Sequence, residues 1–275
     1  MRSESKISGQ IKRSMMEIFR EGGDVVGGTM DITRKTIVEG LVGVKEVLVA
    51  MGGLTVDTFS GVVRGGNEVG SEVRGVVKGA VVGAIRGMEE ITTMTAAILG
   101  ETVRAAIKGS TVEGADLRES ARAVVEGAIS TTESVGVGLA EGADEIGEGA
   151  IRGTMETGGD PVAAAISTVE GAIGGTLEMG GDPMVAIRLT TRGIVRAASD
   201  LGADIGAVAR GAVEGAIQGA REKRLDPEEA ASAAAAGAME AAEDFGKEAV
   251  AAVLRSISGT IVGVRVTIKG SPVEP

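Results

Sequence analysis

GAIRGTMETGG (149–159), DPVAAAISTVE (160–170), GAIGGTLEMGG (171–181) and DPMVAIRLTTR (182–192) are consecutive 11-residue segments that read as two copies of one 22-residue unit. Carried outward in the same frame, the first residue of each unit is Gly61, Gly83, Ala105, Gly127, Gly149, Gly171, Gly193, Gly215 and Gly237. Two residues on, every unit has an aliphatic: Val63, Ile85, Ile107, Ile129, Ile151, Ile173, Val195, Ile217 and Met239. The pattern weakens in GAIQGAREKRL and DPEEAASAAAA (215–236). It extends upstream through TMDITRKTIVE and GLVGVKEVLVA (29–50) if one residue is deleted. A fixed period of this length sets the architecture before any motif does, because each unit leans on its neighbours.

Eleven residues make three helical turns at about 3.67 residues per turn, so each position of the 11-mer returns to nearly the same side of a helix. Positions 2, 3, 6, 7 and 10 share one arc, holding Ala150, Ile151, Thr154, Met155 and Gly158 in one unit and Pro161, Val162, Ala165, Ile166 and Val169 in the next. Positions 4, 8 and 11 lie opposite and collect Arg152, Glu156, Glu170, Glu178, Arg192, Arg196 and Asp200. Arg at position 4 and Glu at position 8 are four apart, the spacing of a weak salt bridge within one helix. The pattern predicts amphipathic helices rather than the strict alternation of strands.

A third, narrow stripe is small. Gly61 and Gly65, the run Gly75, Gly79, Gly83 and Gly87, then Gly149 and Gly153, Gly171 and Gly175, and Gly215 and Gly219 all fall four residues apart. That spacing lets two helix backbones approach closely. Each helical glycine costs about 1 kcal/mol against alanine, so close packing must compensate, or the helices form only on a partner surface. The expected fold is therefore all-α: tandem 22-residue (2 × 11) Gly/Ala-rich helices in a bundle or elongated array. A β-solenoid is the alternative, since 22 residues also suit one coil and glycine suits its corners; abundant Ala, Glu and Met and a single Asn67 argue against it.

Asp160-Pro161, Asp182-Pro183 and Asp226-Pro227 punctuate the array, the first two after Gly-Gly. Asp caps a helix N-terminus, Pro suits its first turn and Gly ends the helix before it. These breaks predict helices from Pro161 to about Met179, Pro183 to about Arg224 and Pro227 to about Ile257. Units without Asp-Pro, at Asp116-Leu117, Gly138-Leu139 and Asp204-Ile205, are expected to run through as longer helices. Residues 1–28 read as a basic amphipathic lead with Ile11, Met15, Ile18 and Phe19 on one side, and 29–258 as the helical repeat region. Residues 259–275 read as a tail in which Val262, Val264, Val266 and Ile268 alternate as in a strand. A lone strand is marginal, so it must pair or fray.

Composition narrows the chemistry. The chain of 275 residues has no Cys, His, Trp or Tyr, and its aromatics are Phe19, Phe59 and Phe245. That removes thiol nucleophiles, imidazole bases and Cys/His metal or haem ligation. The net charge is −11. Residues 1–110 are nearly balanced, with 14 basic and 13 acidic groups, whereas 111–275 carry 14 and 26. An acidic chain without stacking aromatics is a poor ligand for nucleic acid. The N-terminus has no apolar signal core, and no apolar run is long enough to span a bilayer, so a cytoplasmic protein is expected.

No motif supports catalysis. Gly136-Val137-Gly138-Leu139-Ala140-Glu141-Gly142 lacks the spacing of a dinucleotide loop and has no strand before it. Gly246-Lys247 lacks the rest of a phosphate loop, and Ser3-Glu4-Ser5-Lys6 stands without supporting motifs. Asp160, Asp182 and Asp226 are read as helix caps rather than cation ligands. No cofactor, metal or catalytic residue is expected.

In period alone, residues 61–258 resemble the exchangeable apolipoproteins, with tandem 22-mers of two 11-mers and Pro at a unit boundary. They are also similar to the 11-residue repeats of synuclein-like lipid binders, late-embryogenesis-abundant proteins and granule-coating phasins. The chain departs from all of them in its glycine content and near-absence of aromatics. The expected role is a non-enzymatic structural or self-assembling helical repeat protein that packs through small residues and forms a homo-oligomer. The alternative, which the resemblance implies, is an amphipathic coat on a lipid or storage-granule surface.

Overall fold

The computed structural model describes residues 6–20, 24–42, 47–69, 73–111 and 116–267. Almost all of them lie in twelve α-helices: α1 (Lys6–Arg20), α2 (Val25–Leu41), α3 (Val47–Val69), α4 (Val73–Glu89), α5 (Ala96–Ser110), α6 (Leu117–Thr131), α7 (Leu139–Glu156), α8 (Pro161–Met179), α9 (Pro183–Asp200), α10 (Ile205–Lys223), α11 (Pro227–Asp244) and α12 (Lys247–Ile257). The only strands among the described residues are two of two residues each, so the β-solenoid has no support.

From α1 to α9 each helix packs most extensively on the helix two further along and less on the next one, whereas α10 packs on α11 at least as much as on α12. The odd-numbered helices thus form one layer and the even-numbered helices another. Helices within a layer run in the same direction: Arg122 and Glu126 of α6 meet Gly171 and Gly175 of α8 in the same order, as do Gly100 and Arg104 of α5 with Gly149 and Gly153 of α7.

The breaks fall at a constant interval from the sixth helix to the eleventh. α6 to α11 begin at Leu117, Leu139, Pro161, Pro183, Ile205 and Pro227. Asp116, Asp160, Asp182, Asp204 and Asp226 cap five of these with side-chain oxygens that accept from backbone N–H groups. Gly158, Gly180, Gly202 and Gly246 close the preceding helices with φ between 71° and 91°, and Arg224 takes the same left-handed turn at φ 59°. The long helices expected over 183–224 and 227–257 are therefore each two helices, parted at Leu201–Asp204 and at Phe245–Gly246. Asp116, Gly138 and Asp204 likewise open new helices instead of running through. The capping carboxylate and the left-handed glycine suffice for a break; proline is an accessory.

The core between the layers is aliphatic. Val63, Ile85, Ile107, Ile129, Ile151, Ile173, Val195 and Ile217 are all 0–1% exposed, while Met239 is partly buried against the same core. Phe59 is fully buried, but Phe19 and Phe245 are exposed. On α1, Ile11 and Met15 face inward and Phe19 does not join them. At the other end, β1 (Thr260–Ile261) pairs antiparallel with β2 (Val264–Arg265), turning through Val262 and Gly263 with φ of 48° and 78°. Positive φ at both turn residues suits a two-residue hairpin. Ile261, Val264 and Val266 are buried against the final helices, Val262 is exposed at the turn, and Ile268 lies outside the described residues.

Candidate functional site

Two lines of residues distinguish this array: the glycines where helices touch, and the charges beside them. Gly171 and Gly175 of α8 lie on the backbone of α6; a Cβ at either would sit 2.5 Å from the carbonyl oxygen of Arg122 or Glu126. Gly153 stands 2.7 Å, by the same measure, from the carbonyl of Arg104, and Gly215 stands 2.5 Å from that of Ile166. Gly149 meets the carbonyl of Gly100 still more closely, and Gly83 that of Met30. Gly79 and Gly87 face the carbonyls of Val26 and Arg34 at 2.7 and 2.9 Å, and Gly61 that of Ser8 at 2.6 Å. Gly65, Gly75 and Gly219 meet side chains instead, those of Met15, Val26 and Ile173. Gly127, Gly193 and Gly237 also abut carbonyls, of Lys78, Asp144 and Arg188. In every case the neighbour belongs to the helix two before. Where a Cβ would come under 3.0 Å of a carbonyl oxygen, as at Gly61, Gly79, Gly83, Gly87, Gly149, Gly153, Gly171, Gly175, Gly193, Gly215 and Gly237, no side chain larger than hydrogen fits without moving the backbone opposite.

The charges do not pair as the sequence spacing suggests. Glu156 binds Arg104 and Lys108 of α5, each at 2.6 Å, rather than Arg152 of its own helix. Arg152 reaches Asp200 of α9 at 2.8 Å and Glu148 at 2.7 Å. Asp144, 4% exposed, is gripped by Arg192 and Arg196 of α9 at 2.9 Å each. On the even layer, Glu126 is 5% exposed and takes Arg74 and, at 3.2 Å, Lys78. Lys78 also binds Glu178 of α8, and Arg122 of α6 binds Glu222 of α10 at 2.5 Å, so single side chains bridge helices on either side of a third. Ion pairs thus span α4, α6 and α8 in one cluster and α6, α8 and α10 in another.

Burial by itself would raise the Glu126 carboxyl, but hydrogen bonding to Arg74 and the charge of Lys78 hold it below the usual range. Glu148 behaves likewise under Arg196 and Arg152. Burial wins at Glu170, whose nearest cation, Arg122, is 3.7 Å away, and its carboxyl is raised. These shifts are those of structural ion pairs, because the lowered carboxyls of Glu126 and Glu148 are each held by two cations. Among the described residues no three Asp or Glu side chains converge as a metal ligand set, and no helix is long and apolar enough to cross a membrane. Asp160, Asp182 and Asp226 sit at helix starts, each accepting from the backbone N–H two residues on at 2.8–2.9 Å.

Sequence reading missed the buried acids Glu126 and Asp144 and the partners of the charged stripe. Their signal was present as opposite charges 48 or 52 residues apart, about two units plus one or two helical turns. Ser3-Glu4-Ser5 lies outside the described residues. No protein-family model matches this chain, and no curated protein sequence matches it significantly.

Proposed function

We propose that this chain is a non-enzymatic structural scaffold: a two-layered array in which each 22-residue unit is one helix plus its connection. Small-residue ridges hold successive helices of a layer together. One observation carries this reading. The glycine stripe and the aliphatic stripe are both spent inside the chain, the first on the helix two before, mostly on its backbone carbonyls, and the second in the core. An amphipathic coat would need that aliphatic face for lipid or polymer, and spreading it would mean dismantling the array. The ion-paired layers add surface order. A cytoplasmic setting is part of the proposal.

The test is far-UV circular dichroism with and without anionic and neutral vesicles, alongside vesicle flotation. A stably folded scaffold is fully helical in buffer, unfolds cooperatively, and neither gains helix nor floats with vesicles. Low helicity in buffer that rises on vesicles, with co-flotation, would overturn the scaffold in favour of the coat.

A further inference from the structure

We propose that copies of this chain associate end to end, the basic outer face of α1 in one copy seating on the acidic outer face of α11 in the next. The inference rests on the scaffold reading above.

Within the array, cations and carboxylates pair across helices two apart, but the two terminal faces are left out. At one end Lys6, Gln10, Arg13, Glu17 and Arg20 are exposed at three- and four-residue spacing along one face of α1. Lys6, Arg13 and Arg20 hold no ion pair among the described residues; Lys12, nearer the core, is paired with Glu68. At the other end Glu228, Glu229, Glu243 and Asp244 are exposed on α11 and equally unpaired among the described residues, and the helix contains no Lys or Arg. Glu240 is the exception, bound to Arg188 at 3.2 Å. Arg224 and Lys247 flank the acidic helix but do not reach it in an ion pair.

Among the described residues α11 also has no helix of its own layer on its outer side. The carbonyls of Lys78, Gly100, Arg122, Asp144, Ile166 and Arg188 are each covered by a glycine of the helix two on. The residue of α11 at the same interval is Ser232, and no described helix follows to cover it. Around it half-buried Ser232, Ala233 and Ala236 form a shallow floor, continuous with a groove of about 340 Å³ against Met184 and Val185 of α9.

α1 has the matching face, and it is charged rather than small. The ridge glycine follows the covered carbonyl by five residues in α4, α6 and α7 (Lys78 and Gly83, Arg122 and Gly127, Asp144 and Gly149). In α1 the covered carbonyl is that of Ser8, so the ridge place falls on Arg13. The contact between copies is therefore made by side-chain charges. Lys6 and Arg20 are separated by as many residues as Glu229 and Glu243, about 21 Å along a helix. Laid parallel, as neighbours within a layer are, with Lys6 beside Glu229 and Arg20 beside Glu243, α1 sets Arg13 beside Ala236, one turn on from Ser232, so that its stem lies along the alanine floor. The junction is head-to-tail, so it continues from copy to copy.

Sedimentation velocity over a concentration series at low and high salt tests this, with circular dichroism on the same samples. Wild type is expected to form short chains of copies at 20 mM salt, with apparent affinity falling at least about tenfold by 500 mM salt as screening shortens the reach of the charges. E229K/E243K/D244K and R13E/R20E should each be monomeric at low salt with unchanged helicity. An equimolar mixture of the two should associate again, because each then meets its complement. Helical wild type that stays monomeric at low salt, single variants that associate like wild type, or a mixture that stays monomeric would each overturn the proposal. Loss of helicity in wild type would instead overturn the scaffold reading.

Discussion

Alanine in place of glycine should act with opposite sign at two helical positions, one on the small-residue stripe and one off it. At Gly171 the new methyl would lie 2.5 Å from the Arg122 carbonyl oxygen and 3.0 Å from Cβ of Val125. Both atoms belong to a packed neighbouring helix, so relief requires α6 and α8 to part. Helix propensity gains about 1 kcal/mol, but overpacking a tight contact costs about 1–3 kcal/mol, and a clash against backbone belongs at the upper end. The net expectation is a loss of about 1–2 kcal/mol. Gly52 lies inside α3, and a methyl added there would have nothing within 4 Å, so Gly52→Ala should gain about 1 kcal/mol. Thermal unfolding followed at 222 nm reads both. Since 1 kcal/mol moves the midpoint of a chain this size by about 2–4 °C, Gly171→Ala should fall by several degrees and Gly52→Ala should rise by a few. If Gly171→Ala rises as Gly52→Ala does, the ridge is not a close contact and the packing argument fails.

Removing a cap where no proline helps is a second test: Asp204→Ala, which deletes the acceptor for the Ala207 N–H, should cost about 1 kcal/mol in a urea titration, and an unchanged midpoint would mean that Asp204 is dispensable. A third uses pH. Because cations hold the folded Glu126 below its unfolded value, its contribution is present above the ordinary carboxylate range and is lost as pH falls through the lower folded value; Glu126→Gln should lower the midpoint at pH 7 and converge with wild type only once pH has fallen below that lowered value. Glu170 is raised, so it favours the fold only while protonated and loses that advantage as pH rises; Glu170→Gln should be neutral or stabilising at pH 7. Equal pH profiles for the two variants would contradict the contrast.

Much of this fold was legible because its signals are local. An aspartate, a run of helix formers and a left-handed glycine mark one helix without reference to the rest of the chain. The weight placed on Asp-Pro hid the breaks at Asp116 and Asp204, where the same carboxylate caps the helix without the ring. The helix-facing pattern assigned Ile151 and Ile173 to an apolar side but not to a particular neighbour. Pairing between helices two apart depends on how the chain alternates between layers, which one unit read singly does not contain. The charged stripe suffered most: an intrahelical Arg152–Glu156 pair was the natural reading, yet Glu156 leans across to Arg104 and Lys108 because the glycine contacts bring α5 and α7 so near. Arg224 in a left-handed turn has no local signal, since arginine rarely adopts it; its place is given by the glycines at the same interval.

The regular spacing of the caps makes the molecule's length adjustable. Excising 116–159 would remove one member from each layer and leave Asp160 to start a helix where Asp116 had done so. The shortened chain keeps every remaining helix pointing the same way. Excising 138–159 alone would reverse everything downstream, setting former parallel neighbours head to toe and turning glycines away from the carbonyls they cover. Growth or shrinkage of such a protein is therefore tolerated in steps of two units and opposed in steps of one.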